Sequence, residues 1–417
     1  MPVQTADTLL AELRRHKLLT DEAAACVAAV AHAHNLSPDA WVTHLVEAGL
    51  TRFQARTALD GAAESLLFGP YILLDRVGDG GMGVVFKARQ TRTGRIDALK
   101  VLRADKVGSP TVVRRFLREI EVTSRLEHPH IVRAYDAGVV NSQLYLATEF
   151  VDGTDLGTRV LSAGPVSVAD ACLVAYHAAL ALAHIHKKGL VHRDVKPSNL
   201  IRDRLTGAVK LLDLGLSGFN RSVLEDRDAM TLTRDGVVLG TPDFMAPEQI
   251  QNPHSVDIRA DLYGLGCTLY FLLTGRPPYD GSAVEKMYRH GSAPLPTLIL
   301  PGGLLPPPGL GEILTRLLAK RPEDRFQTPQ ELIDALLAIR PGAATPNPDT
   351  GAVAAPALET EFGPMLDVAD PGVATPLPRL PRAHLGTAPV SWLAVAAVAL
   401  LFCLGFAAAA VYFTRGR

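Results

Sequence analysis

"RVGDGGMGVVFKA", residues 76–88, sets Gly78, Gly80 and Gly83 in the spacing G-x-G-x-x-G. Two architectures bring that spacing against a nucleotide's phosphates, and they differ in the element after the third glycine. A dinucleotide-binding turn runs from a strand straight into a helix whose N-terminus receives the pyrophosphate. A phosphate-covering hairpin runs from strand to strand. Here Gly83 is followed by "VVFKARQTRTGRIDALKVL". Val84, Val85 and Phe86 favour a strand, "TRTGR" supplies turn residues, and "DALKVL" reads as a second strand. The reading is a hairpin. No Lys-Ser or Lys-Thr follows the glycines, so a Walker A loop is excluded too.

Outward from the hairpin, charged residues fall where a phosphate site needs them. Lys100 stands in the second strand, inside "ALKV". A strand lysine often only faces water; one that binds phosphate must be held by an opposite charge. The stretch "VVRRFLREIEVTSRLEHPHIV", a helix followed by a strand, offers Glu119, Glu121 and Glu127. The most specific stretch is "LVHRDVKPSNL", residues 190–200. Leu190 and Val191 before it, and Leu200 and Ile201 after, predict short strands that pack a polar loop against a core. Phosphoryl transfer needs a carboxylate to orient and deprotonate a hydroxyl, a cation at the moving group, and a metal ligand. Asp194, Lys196 and Asn199 supply those three roles. In "VKLLDLGLS", residues 209–217, Asp213 leaves an apolar strand. A carboxylate so placed suits Mg²⁺, a hard ion that prefers oxygen ligands.

Three further motifs come downstream: "GTPDFMAPEQ" (240–249), "DLYGLGCTLYFLLTGRPPY" (261–279) and "RPEDRF" (321–326). In this order the motifs resemble those of bacterial eukaryotic-like (Hanks-type) serine/threonine protein kinases, over residues 71–337. The resemblance implies an α+β, bilobal protein kinase fold: a small antiparallel β lobe, a larger mostly α lobe, and ATP between them. It implies that Gly78, Gly80 and Gly83 cover the phosphates while Val77 and Val85 cover the nucleotide. Lys100 would hold the α- and β-phosphates and pair with Glu119, whose "RFLRE" setting matches the family's helix. Thr148 would guard the adenine pocket; Glu149, Phe150 and Val151 would form the hinge, and Asp155 would meet the ribose. Asp194 would be the catalytic base, Lys196 the γ-phosphate partner, and Asn199 and Asp213 the Mg²⁺ ligands. Glu248 and Arg325 would form a buried structural ion pair. The metal motif departs from the commoner Asp-Phe-Gly by reading Asp-Leu-Gly; the aspartate is kept.

Between Asp213 and Glu248, Thr231 and Thr233 are candidate autophosphorylation sites, and Arg193 is the residue type that pairs with a phosphothreonine. The expected partners are protein substrates, with a homodimer allowing autophosphorylation in trans.

The rest of the chain sets the context. The 417 residues are 20 % charged and 47 % hydrophobic, enough for two or three domains. A formal charge of −1 leaves no basic footprint for nucleic acid, so none is expected as a partner. Four scattered cysteines, without a C-x-x-C pair, exclude a disulfide framework or zinc site. Residues 1–66 read as a helical module of unknown role, with starts at Thr20, Ser37 and the Thr51/Gln54 capping box. Residues 341–388, rich in Pro and Ala, read as a disordered linker. Residues 390–413, "VSWLAVAAVALLFCLGFAAAAVYF", read as a transmembrane helix with Trp392 and Tyr412 at its ends. Basic residues flank both sides, so charge alone gives no orientation. ATP and Mg²⁺ are cytosolic, which implies a single-pass inner-membrane protein with its kinase domain in the cytoplasm and only residues 414–417 beyond. A nucleotide-binding scaffold without turnover and a dinucleotide-dependent oxidoreductase are the rival readings. The intact charged set argues against the first and the hairpin against the second.

Overall fold

A computed structural model of the chain describes residues 5–33, 36–80, 83–102, 120–121, 124–213, 242–252 and 256–339, with the backbone of 345–346. The expected membrane helix at 390–413 lies outside these residues, as does the expected linker apart from Thr345–Pro346.

Four short helices open the chain: α1 (Ala6–Arg15), α2 (Asp21–Ala33), α3 (Pro38–Glu47) and α4 (Arg52–Leu59). Each begins where a hydroxyl meets an orphan amide. Thr5 accepts from Thr8 N, Thr20 from Ala23 N, and Ser37 from Ala40 N. At α4, Thr51 and Gln54 close a reciprocal capping box. Leu13, Leu45, Ala55 and Ala58 are fully buried among these helices, which therefore have an apolar core of their own.

A six-stranded antiparallel sheet follows, built from β1 (Leu67–Phe68), β2 (Tyr71–Gly80), β3 (Gly83–Gln90), β4 (Ile96–Leu102), β5 (Ala134–Val140) and β6 (Gln143–Glu149). Its order is β1-β2-β3-β4-β6-β5. The expected hairpin is β2–β3, closing at Gly80 opposite Gly83, and the expected second strand is β4. Pairing begins at Leu67, ahead of the anticipated domain start at Tyr71, because Phe68 stacks edge-on against Tyr145 in the core of this lobe.

The larger lobe is mostly helical: α5 (Leu156–Ala163), α6 (Val168–Lys187), α7 (Pro247–Gln251), α8 (Ile258–Thr274), α9 (Ala283–Ser292), α10 (Leu310–Leu317) and α11 (Pro329–Ala338). A three-stranded sheet, β7 (Gly153–Asp155), β8 (Leu200–Asp203) and β9 (Val209–Leu211), lies on it. Helix α6 is the one described helix long and apolar enough to cross a membrane by length and composition. It is the core helix of this lobe, with Ala171, Ala175, Ala179 and Leu182 fully buried against α8 and α11. A helix apolar all round belongs inside a core.

Three local expectations change. Leu190 and Val191 form no strand; they pack on the lobe's apolar core, and the amides after them turn to a side chain instead of a ladder. The strand expected at the end of "LEHPHIV" reduces to a single bridge, Ile131 with Leu211. Within the stretch read as linker, Thr345–Pro346 (β11) pairs with Leu304–Leu305 (β10).

Candidate active site

The glycine hairpin overhangs β4, and its glycines are required for different reasons. A Cβ on Gly83 would lie 2.2 Å from the Val101 carbonyl oxygen, so this position is glycine because strands β3 and β4 approach closely. A Cβ on Gly78 would meet nothing within 4 Å, leaving that face open for a ligand. Val77 is exposed and Val85 half-buried. Lys100 lies opposite Val85 on one side and Leu146 on the other, which sets its ammonium at the mouth of the sheet.

That ammonium meets Asp213: Lys100 Nζ donates to Oδ2 at 2.6 Å. Residues 113 apart in sequence are thereby joined across the two lobes. Glu119, the expected partner of Lys100, lies outside the described residues, as do Thr231 and Thr233.

On the loop 190–200, Lys196 Nζ stands 2.9 Å from Asp194 Oδ2. Asn199 donates both amide hydrogens to Asp194, at 2.8 Å to its carbonyl and 2.9 Å to Oδ2. A bond from Leu212 N to Asn199 O, 2.9 Å, ties this loop to the residue before Asp213. The structure thus brings together Lys100, Asp194, Lys196, Asn199 and Asp213. The donor set suits a hard cation. The Asn199 amide nitrogen is committed, its oxygen remains an acceptor, and Asp213 engages Lys100 through one oxygen only.

Sequence reasoning missed the anchor of this loop. Asp261 of α8, fully buried, accepts from His192 N at 2.7 Å and Arg193 N at 2.6 Å. Burial pushes its carboxyl up to about 6, against the opposing pull of His192, the two amides and Arg193. His192 Nε2 donates to Leu212 O at 2.8 Å while its Nδ1 accepts from Asp194 N at 3.2 Å, which fixes the tautomer. Arg193 and Asp213 both hold left-handed backbone, φ 66° and 61°, uncommon for residues with a Cβ. Fixed partners hold Arg193 in place against that strain. Arg193 N is bound by Asp261, and Arg193 O accepts from Gln249 Nε2 at 2.8 Å. The motif "DLYGLGCTLYFLLTGRPPY" opens on Asp261, but nothing local gives that residue this duty, because its partners stand 69 and 68 residues away.

Along the hinge, Glu149 ends β6 and pairs with Lys210 at 2.5 Å, and Thr148 Oγ1 reaches Ala98 O at 3.5 Å. Val151 is buried. Asp155 caps α5, accepting from Thr158 N at 2.9 Å, so one carboxylate oxygen has a structural duty. The expected ion pair is present. Arg325 donates to Glu248 at 2.6 and 2.8 Å and to the carbonyls of Ala319, Arg259 and Lys320.

A two-lobed fold with a glycine hairpin, a sheet lysine paired with an aspartate of the facing lobe, and an Asp-Lys-Asn loop is that of a protein kinase domain. The family described as Protein kinase domain matches residues 71–338, and the chain belongs to it. The chain is 38 % identical over 278 residues to the serine/threonine-protein kinase PknB of Mycobacterium leprae, covering 65 % of this chain and 43 % of that one. It is 36 % identical over 268 residues to the serine/threonine-protein kinase PknD of Mycobacterium tuberculosis, covering 64 % and 39 %. It therefore spans less than half of either relative. Among solved structures it is similar to the Mycobacterium tuberculosis PknI kinase domain, at 30 % identity and TM-score 0.51, over 64 % of this chain and 95 % of that one.

Proposed function

We propose that the chain is an ATP- and Mg²⁺-dependent serine/threonine protein kinase that transfers the γ-phosphoryl group to protein hydroxyls. One observation carries the reading: two charged clusters, Lys100–Asp213 and Lys196–Asp194–Asn199, meet through the Leu212–Asn199 backbone bond. Asp194 orients the acceptor hydroxyl and takes its proton. Lys196, already beside Asp194, offsets charge on the moving phosphoryl group. Lys100 holds the α- and β-phosphates under Gly78, Gly80 and Gly83, with Val77 and Val85 against the base and the 149–151 backbone reading adenine. Asn199 and Asp213 would hold Mg²⁺, which when bound neutralises phosphate charge. Incubation with labelled ATP and a generic protein substrate, with Mg²⁺ restored after chelation, tests this. Label on serine or threonine only with Mg²⁺ is expected; label absent from every protein removes the reading.

The activation segment and anchor belong to the same proposal. Arg193 Nε is buried and has no acceptor among the described residues, which supports a role in receiving a phosphothreonine at Thr231 or Thr233. Mass spectrometry of active protein that finds both unmodified would exclude autophosphorylation there. The apolar 390–413 segment supports an anchor in the inner membrane, with the kinase domain cytoplasmic. In sealed vesicles a C-terminal tag is expected to resist protease added on the kinase side; digestion would reverse the orientation.

A further inference from the structure

The helical module does more than precede the kinase domain. Strand β2, which carries Gly78 and Gly80, pairs with β1 at Tyr71 and Ile72, so beyond Ile72 it is an edge strand among the described residues. Its pairing with β3 shifts register between Leu73 and Asp75 and again between Arg76 and Gly78. Such bulges free backbone groups and bend a strand. At the first bulge the carbonyls of Leu73 and Leu74 are both taken by helix α4 and its cap. Gln54 Nε2 donates to Leu73 O at 2.8 Å, and Thr51 Oγ1 donates to Leu74 O.

The same two side chains close the capping box of α4. Gln54 Oε1 accepts from Thr51 N at 3.0 Å and Thr51 Oγ1 accepts from Gln54 N at 3.2 Å. A capping glutamine ordinarily faces water, yet Gln54 is only 3 % exposed. One residue before it, Phe53 lies 6.1 Å from the Phe86 ring of β3. Helix α4 therefore grips both arms of the glycine hairpin, and the second bulge, at Val77, lies just beyond the grip.

We propose that Gln54, with Thr51, is a positioning residue that couples the helical module to the phosphate-covering glycines and so sets the affinity for ATP. This rests on the kinase reading above. Gln54→Glu separates the two duties of the side chain. Glutamate serves a capping box equally well, but it loses the donor to Leu73 and turns an oxygen against a carbonyl. In the full chain, Gln54→Glu is expected to keep its fold and raise KM for ATP about fivefold, the size of one buried hydrogen bond, with kcat within about twofold. Hydrogen exchange across residues 73–80 should quicken, while Thr51→Ser, which keeps the hydroxyl, changes nothing. Where Gln54→Glu does not fold, Gln54→Met is used, which drops the donor to Leu73 and the capping acceptor together without adding charge. Thr51→Val, which removes the bond to Leu74, is measured beside it, and exchange at 73–80 is expected to quicken in both. Unchanged exchange at 73–80 in a folded Gln54 variant overturns the proposal, and so does a fall in kcat at constant KM. If the wild-type chain transfers no phosphate, the kinase reading has failed and the exchange measurement alone decides the coupling.

Discussion

Replacing Arg325 by methionine keeps most of the side chain's volume and removes every bond its guanidinium makes. Two go to Glu248, and one each to the carbonyls of Ala319, Arg259 and Lys320. The Arg325 side chain is 0 % exposed and the Glu248 side chain 15 %, so water cannot replace the lost partners. Breaking a buried pair from one side costs about 3–5 kcal/mol, against a total domain stability of about 5–15 kcal/mol. At about 2–4 °C per kcal/mol for a domain of this size, Tm should fall by roughly 6–20 °C. Circular dichroism during thermal unfolding measures it. The double variant Arg325→Met/Glu248→Leu should recover part of the loss, because no charge is then left buried. A Tm within about 2 °C of wild type in Arg325→Met would refute the reasoning, since a fully satisfied buried ion pair cannot be removed so cheaply.

Three other outcomes are expected from the geometry. Gly83→Ala should destabilise the small lobe, its Cβ meeting the Val101 carbonyl. Gly78→Ala should leave thermal unfolding unchanged and act only on nucleotide binding, which titration with an ATP analogue reads. Asp261→Asn should cut activity by about tenfold or more, because one amide of the catalytic loop loses its acceptor, with KM for ATP less affected. Stability should also depend on pH. His184, His128, His130 and His177 lie ring against ring in a row, the last two stacked at 4.0 Å. Burial chiefly holds His128 and His177 down at about 4 and the other two below their ordinary value; neighbouring histidines add repulsion at His128 and His177, as do Arg202 at His177, Lys210 at His130, and Lys187 and Lys188 at His184. The unfolded chain takes up these protons first. Their contribution is therefore complete above about pH 6.5 and is lost as pH falls toward about 4. His290, buried beside Tyr263 and likewise held down at about 4 by burial, acts in the same direction, while Asp261, raised to about 6, works the other way over the acid part of that range. Denaturation midpoints at pH 7 and pH 5 check the sign: a higher midpoint at pH 5 would contradict it.

Local chemistry was legible in the sequence, and long-range support was not. Asp194, Lys196 and Asn199 sit within six residues and their types alone suit phosphoryl transfer. The hairpin could be read because Val84–Phe86 and "TRTGR" encode strand and turn without reference to anything distant. Likewise the Thr51/Gln54 box is a helix-start signal. Its second duty toward Leu73 and Leu74 has no sequence mark, because it depends on a bulge in an edge strand. The pairing of Lys100 with Asp213 crosses the cleft, and Asp261 reaches the catalytic loop from another helix. Leu190 and Val191 carry strand-like side chains but no strand, since tertiary hydrogen bonds claimed the neighbouring amides. Apolar composition and length do not by themselves make a span. Helix α6 is long and apolar enough for a span, yet it is the middle of a core.

The most direct test of the account is the initial rate of label transfer from γ-labelled ATP to protein hydroxyls, compared between the purified wild-type chain and Asp194→Asn. Loss of the base should lower the rate by about 10² to 10⁴ while ATP binding is retained. Equal rates in the two proteins would contradict the assignment of Asp194 and, with it, the reading of the crevice as a phosphotransfer site.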